Sequence, residues 1–561
     1  MLHCCKGEMR YRFRNDSKMV FAYRYQYLNS ENRDVKDFLK EISRIPIVFN
    51  DDKKALEALE RFYEKGALNE TANAEIKREE FATDAEDYIC VRRGWYKKKS
   101  PKDMEQDSNT LIEAYVGILQ EALKKCQRRN QMENKLPKQT IKCHKNPIIP
   151  GMGICDPHLQ LFNDKVYLYS SHDKYFQQTS YAASDWTVWS TENFVTWELE
   201  NVIRPEDFYM GSSERCWAVD AACSNGKYYF YYSNGNDQTG VAVSENPGGP
   251  FVDSPNSPLL DGTLTTTREY DPAIFKDIDG TFYIVFGGPA WAYGEGSGYY
   301  IAKLQDDMVS LAEAPRKIEL DHEADDKVSL NRIGDMYYLS YGSHYAISEN
   351  VYGPYCYIGN TGASEDHGSY LEWNNQLFNS FTIFDPTMCY RASGVCYVHQ
   401  KKNYELVVDP LIVEYGVGQY DSDWNKIEAE WYMKLSGAAA KNENPRYGFD
   451  VEIFGDYEEE KLTEANLFYP NIRNVKDKKG IAFFLSCNCM EGSVIEVWQQ
   501  GPAEKLLGKC NIKYTKDHSW RSYRMFTLPL ESLETDLLDL KLVIKVNGSG
   551  SCKLDYFKFY K

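Results

Sequence analysis

No stretch of this 561-residue chain approaches the roughly 20 apolar residues needed to cross a bilayer as a helix. A helical membrane protein is excluded. The residues from Met1 to Glu8 also lack the apolar core of a secretory signal, so the chain as written is expected in the cytoplasm, and outside the cell if its true N-terminus differs. Positive charge is scarce. Against 83 Asp and Glu stand 65 Lys and Arg, a formal charge of −18. A field of that sign repels nucleic acid and anionic membranes, and neither is expected as a partner. One basic run, Arg92 to Lys99, reads as a solvated face. Paired cysteine motifs are missing as well. The 15 cysteines are odd in number and scattered, with Cys4 beside Cys5 and a C-x-C at Cys487 and Cys489. Reduced thiols are the default, with neither a disulfide framework nor a zinc site.

What the chain has in excess is aromatic surface, with 43 Tyr and 11 Trp. Both residues suit half-buried strands, and both offer flat faces on which sugar rings pack. A neutral polymer is the better partner.

The length fits roughly three domains, and composition marks three zones. Residues 1–140 read as a charged, helical region of unknown role. Apolar residues fall at helical spacing over Asp34–Ile42, Leu56–Tyr63 and Asn109–Lys125. A polar, lysine-rich stretch from Gln127 to Lys142 then reads as a linker. From residue 143 to 418 the pattern changes to short β-runs broken by Gly, Asn and Asp turns. From 422 to 561, regular short strands such as Ser493–Trp498 and Lys541–Val546 indicate a β-sandwich of jelly-roll type.

The middle zone repeats itself. Five segments share one grammar: a polar leading residue, a short apolar strand, a turn and an aromatic-rich strand. They begin at Asp156, Asp220, Asp271, Asp326 and His367, at intervals of about 40 to 65 residues. That period and the hairpin character of each unit predict a five-bladed β-propeller, with the leading side chains gathered at its axis. One Asp before a strand is most simply a turn former. Four at matched places in a ring are harder to dismiss as turn formers, although Asp220 is expected to belong to the structure. Hydrolysis of a glycosidic bond needs two carboxyl groups, one giving a proton to the leaving oxygen and one activating water or attacking the sugar. Asp156 and Asp271, each followed by Pro and an apolar strand, are the best-matched pair.

The segments Asn146–Gly151, Cys155-Asp156-Pro157-His158, Trp217–Asp220, Tyr270–Phe275 with Asp279-Gly280, and Asp185–Ser190 with Trp197 beyond resemble glycoside hydrolase family 43 over residues 143–418. The resemblance implies a propeller that inverts the anomeric centre without a catalytic cofactor. It makes Asp156 the general base and Asp271 the group that tunes and orients the acid. The acid is usually a Glu leading the fourth blade, and here the sequence departs from the pattern. Its place falls on Asp326, one methylene shorter, with Glu323 one turn earlier as the alternative. His367 is expected near the floor of the cleft, and Trp186, Trp217 and Trp291 are expected walls of a sugar pocket. The implied activity is release of terminal arabinofuranosyl or xylosyl units from plant polysaccharide. A galactofuranosidase or galactosidase on the same scaffold is the close alternative.

The last zone resembles carbohydrate-binding module family 6, through Ile427–Glu430, Leu554–Phe557 and Trp520 within Ser519–Tyr523. By that resemblance Glu428, Glu430 and Asp555 would hold a structural calcium, and Trp520 would stack on a sugar. A carbohydrate-binding protein without catalysis is the competing class of reading.

Overall fold

The computed structural model describes residues 139–561 except 177, 254–256, 326, 364–365, 447, 457–460 and 532, together with six short strands before residue 93. Residues 138–561 form one compact unit, and residues 1–137 another.

Among the described residues of the first unit, His3–Cys5, Glu8–Arg12, Glu86–Arg92 and Arg78–Thr83 form an antiparallel sheet. Met19–Phe21 pairs with Ile47–Phe49. The helices expected over Asp34–Ile42, Leu56–Tyr63 and Asn109–Lys125 lie outside the described residues.

In the second unit, turns at Asn163-Asp164, Asn225-Gly226, Asp279-Gly280, Gly334-Asp335 and Asn374-Asn375 join the first two strands of each repeat, which folds as an antiparallel meander. Blade one comprises Ile154–Phe162, Lys165–Asp173, Ala183–Thr191 and Thr196–Ile203, with Thr140–Lys142 added at its outer edge. Blade two runs from Cys216–Ser224 to Val252–Asp253, and blade three from Ala273–Lys276 to Arg316–Lys317. Blade four runs from Val328–Ile333 to Cys356–Asn360, and blade five from Gly368–Trp373 to Leu406–Val407. The first strand of each blade packs against the first strand of the next, and that of blade five returns to blade one. The ring is closed at five. Apolar clusters fill the interfaces between neighbouring blades, one of them joining Trp186, Val188, Phe230 and Tyr232. Inner strands therefore bury both faces, as the unbroken burial of most of Lys227–Asn234 shows.

Two six-stranded sheets follow. In one, the short strand Ile427–Glu428 pairs with the last strand, Ser551–Tyr560, placing Glu428 opposite Tyr556. The sheets are seated on the propeller. Their buried residues share one apolar cluster with Leu159, Trp197, Phe378 and Tyr397 of blades one and five. Half-buried Lys441 donates to Gln376 Oε1 at 2.9 Å, and Gln376 Nε2 donates to the carbonyls of Glu430 and Tyr432. Burial lowers the Lys441 ammonium to about 8. Among the described residues, no helix is long and apolar enough to cross a membrane.

Candidate active site

Asp156 and Asp271 meet at the axis. Both are 2% exposed, and both have left-handed backbones, with φ of 50° and 56°. Asp is among the few non-glycine residues that visit this region, at a cost of about 1–2 kcal/mol. In blade one the cause is visible in the ladder. Register shifts between Cys155 and His158, where Pro157 has no N–H to give, and the resulting bulge re-aims Asp156 toward the axis. Asp271 is fixed by its own backbone, which donates to Ser233 Oγ at 3.0 Å while that hydroxyl donates to Ala218 O at 2.7 Å.

Arg391, the first residue of a blade-five strand and 5% exposed, grips Asp156 with both terminal nitrogens. Nη1 reaches Oδ1 at 2.6 Å and Nη2 reaches Oδ2 at 3.3 Å. The same guanidinium bonds Asp173 Oδ1 at 3.1 Å and Asp366 Oδ2 at 3.2 Å. Burial raises the Asp173 carboxyl, and Arg391 opposes that rise. A forked cation of this kind fixes both the charge and the plane of a carboxylate. His367 lies between the two axial Asp residues. Its Nδ1 is 3.9 Å from Asp156 Oδ1, and its Nε2 is 3.9 Å from Asp271 Oδ2 and 3.3 Å from Asp366 Oδ1. Among the described residues, Asp156, Asp366 and His367 are the one group whose three ligand atoms lie within 4.8 Å of one another.

A second buried network lies close by. Lys327, 1% exposed, donates to Val219 O at 2.8 Å and to His158 Nδ1 at 3.0 Å. His158 Nε2 in turn sits 3.1 Å from Asp220 Oδ1. Asp220 also accepts from the backbone of Ile274 at 2.5 Å and from Gln160 Nε2 at 2.9 Å. Blades one to four are thereby joined by one hub. Burial raises the Asp220 carboxyl to about 6, with Lys327 and these bonds opposing it. Burial and the Lys327 ammonium together hold His158 well below its usual range, hence neutral. Asp220 belongs to this hub, as a joint between blades.

The expected sites divide. Asp156, Asp271 and His367 come together, whereas Asp326 lies outside the described residues. Lys327 beside it is buried, and Glu323 is exposed. Trp186 is not a pocket wall. It is fully buried between blades one and two, edge-on to Phe230, with Nε1 donating to Trp217 O at 2.8 Å. Trp217 is half-buried, lies 6.2 Å from the Tyr270 ring and donates to Tyr181 O at 2.9 Å. Trp291 is 75% exposed on a single helical turn, Ala290–Tyr293. Trp520 is 49% exposed, with the Arg446 guanidinium 4.1 Å over its ring and Arg521 at 5.1 Å. Arg391, Asp366 and Lys327 were missed. Single residues without a motif carry no signal, although Asp366 stands next to His367 in sequence.

Residues 144–378 match the family model described as glycosyl hydrolases family 43. The match covers less than half of the chain. Similar to this chain is a xylosidase/arabinosidase of Bacteroides ovatus, 28% identical over 272 residues, which are 39% of this chain and 81% of that one. Xylosidase/arabinosidase 43A of Humicola insolens is 29% identical over 273 residues, covering 38% of this chain and 81% of its own. A beta-D-galactofuranosidase of Aspergillus niger is 27% identical over 233 residues, 37% of this chain and 65% of its own. The matched segment contains the Asp156–Asp271–His367 cluster; Arg391 falls just beyond it.

In the C-terminal sheets, Glu428, Glu430 and Asp555 are all buried, and each leaves one carboxylate oxygen without a hydrogen bond. Lys426 pairs with Glu428. Burial and mutual repulsion raise Asp555 to about 8, and raise Glu430 well above the usual carboxylate range. Glu428, Glu430 and Asp555 are not among the groups whose ligand atoms all lie within 4.8 Å of one another among the described residues.

Proposed function

We propose that this chain is an exo-acting, inverting glycosidase that releases terminal arabinofuranosyl or xylosyl units from plant polysaccharide or its oligosaccharides. The observation that carries this reading is the pair of buried, left-handed Asp residues on blades one and three, with one histidine between them and one arginine locking the first. Asp156, held by Arg391, takes a proton from water as the water oxygen bonds to the anomeric carbon. The glycosidic C–O bond breaks on the opposite face, and the acid delivers its proton to the leaving oxygen. Asp271 tunes that acid. Trp217 and Tyr181 supply the wall of the sugar pocket, in support of which they adjoin Arg391 and Tyr270. Similarity to the Aspergillus niger enzyme favours a galactofuranosidase as the second reading. Assay against p-nitrophenyl α-L-arabinofuranoside, β-D-xyloside and β-D-galactofuranoside separates these. No turnover with retained polysaccharide binding would leave a binding protein.

By its place in the sequence, Asp326 is the proposed acid. Asp326→Asn should lower kcat on substrates with poor leaving groups about 10²–10⁴-fold and spare those whose leaving group needs no proton. Glu323→Gln should change neither. The reverse pattern transfers the role to Glu323.

The two C-terminal sheets are proposed as a β-sandwich carbohydrate-binding module, with Glu428, Glu430 and Asp555 holding calcium. A carboxyl raised by folding costs nothing below its unfolded pKa and destabilises as pH climbs to its folded value. Without calcium, stability should therefore fall as pH rises from about 4 to about 8, as Asp555 ionises. Calcium should raise the melting temperature more at pH 8 than at pH 5. An equal effect at both would argue against this site.

A further inference from the structure

We propose that Glu269, a buried acid outside the axial cluster, is a positioning residue that sets Asp271 in place for its work on the proton donor. The proposal rests on the hydrolase reading above.

Asp271 enters blade three from a long link. Between Val252–Asp253 and Ala273–Lys276 the described residues hold no helix or further strand, only a bridge from Leu260 to Thr239. A link of this length without a ladder must be tied from within if it is to hold a fixed shape. At its end stands a strained residue, since Asp271 has a φ of 56°. A left-handed Asp persists only where its surroundings hold it there.

Glu269, two residues before Asp271 and 0% exposed, supplies the tie. Its Oε2 accepts from the backbone of Gly262 at 2.8 Å. Its Oε1 accepts from the backbone of Thr265 at 2.6 Å and from Thr265 Oγ1 at 3.1 Å. One side chain thus closes the loop on itself. A buried carboxyl group is costly without donors, so the acid and the loop hold each other in place.

The closed loop is fastened to the blades on either side. Thr239 Oγ1 of blade two donates to Glu269 O at 2.9 Å. The backbone of Gly287 in blade three donates to Tyr270 O at 3.3 Å, and the next group along is the Asp271 N–H on Ser233 Oγ. Thr266 Oγ1 lies 2.7 Å from Tyr300 OH of blade three. The fit is close: a Cβ at Gly287 would come within 2.3 Å of Gly298 O and 3.2 Å of Thr267 Cγ2. Without the Glu269 side chain, the N–H groups of Gly262 and Thr265 lose their acceptor and the loop loses its closure. Asp271 is then free to relax toward an ordinary backbone, which moves its carboxylate relative to the acid. A misplacement of about 1 Å in a catalytic constellation can cost about 100-fold in rate.

The test compares Glu269→Ala and Glu269→Gln with the wild type on a series of glycosides of one sugar with leaving groups of graded acidity. The loss in kcat should grow as the leaving group becomes less acidic, reaching about 10- to 100-fold at the poor end, with KM little changed. Glu269→Gln keeps the shape and one acceptor oxygen, so it should lose less than Glu269→Ala, and it carries the test if the alanine variant does not fold. A loss uniform across the series, as a smaller folded fraction would give, or no loss at all, would overturn the role of Glu269 alone. Absence of wild-type turnover on every glycoside would overturn the hydrolase reading and this role with it.

Discussion

An Asp156→Asn protein is expected to lose turnover by about 10²–10⁴-fold while keeping its affinity for oligosaccharide. The amide has the shape of the carboxylate but cannot take a proton from water. It also presents an N–H to one of the two Arg391 nitrogens that now hold Asp156 at 2.6 and 3.3 Å. Some of the loss could therefore be one of position. Arg391→Lys separates the two, since a lysine keeps the charge and gives up the fork. That variant should lose less kcat than Asp156→Asn and retain the same product configuration. Steady-state kinetics with calorimetric binding of a non-hydrolysed oligosaccharide would check both. Near-normal turnover by Asp156→Asn would remove Asp156 from the mechanism.

Lys327→Met is expected to cost about 3–5 kcal/mol of stability, the usual penalty for removing one partner from a buried charged pair. The ammonium is 1% exposed, and its removal leaves Asp220 at the axis with no cation in the hub. The double variant Lys327→Met with Asp220→Asn takes away both charges and should lose clearly less than the sum of the single variants. The pH dependence gives a second check. Asp220 titrates at about 6 when folded, against about 4 for an unfolded carboxylate. Its contribution therefore becomes destabilising as pH rises from about 4 to 6. Without Lys327 the carboxyl rises further, so the variant's deficit should be smallest near pH 4 and grow toward neutrality. Chemical denaturation across pH measures this, and additive single losses with no pH dependence would mean that the hub is not ionic.

The ring was legible in the sequence because each repeat carries its own turn residues and its own leading polar residue. Asp156 and Asp271 could be picked out from a local signal, a carboxylate followed by Pro and an apolar strand. Trp186 misled for a physical reason. In a propeller the inner strands are covered on both faces, so a Trp between blades and a Trp in a pocket have the same sequence setting. Arg391 was invisible because its partner Asp156 is 235 residues away and one arginine at a strand start has no pattern. Lys327 followed the expected acid directly, yet its bonds to His158 and Val219 depend on ring closure. The seating of the last two sheets on blades one and five was hidden for the same reason. Lys441 and Gln376 read as ordinary strand residues.

The most direct test of the central claim is the configuration of the first sugar released, followed by proton NMR during hydrolysis of a glycoside that the enzyme accepts. Two axial carboxyl groups working through water predict that the new hemiacetal first appears with inverted configuration and only later equilibrates. First release of the retained anomer would contradict the account, because it would require a covalent glycosyl-enzyme in place of activated water.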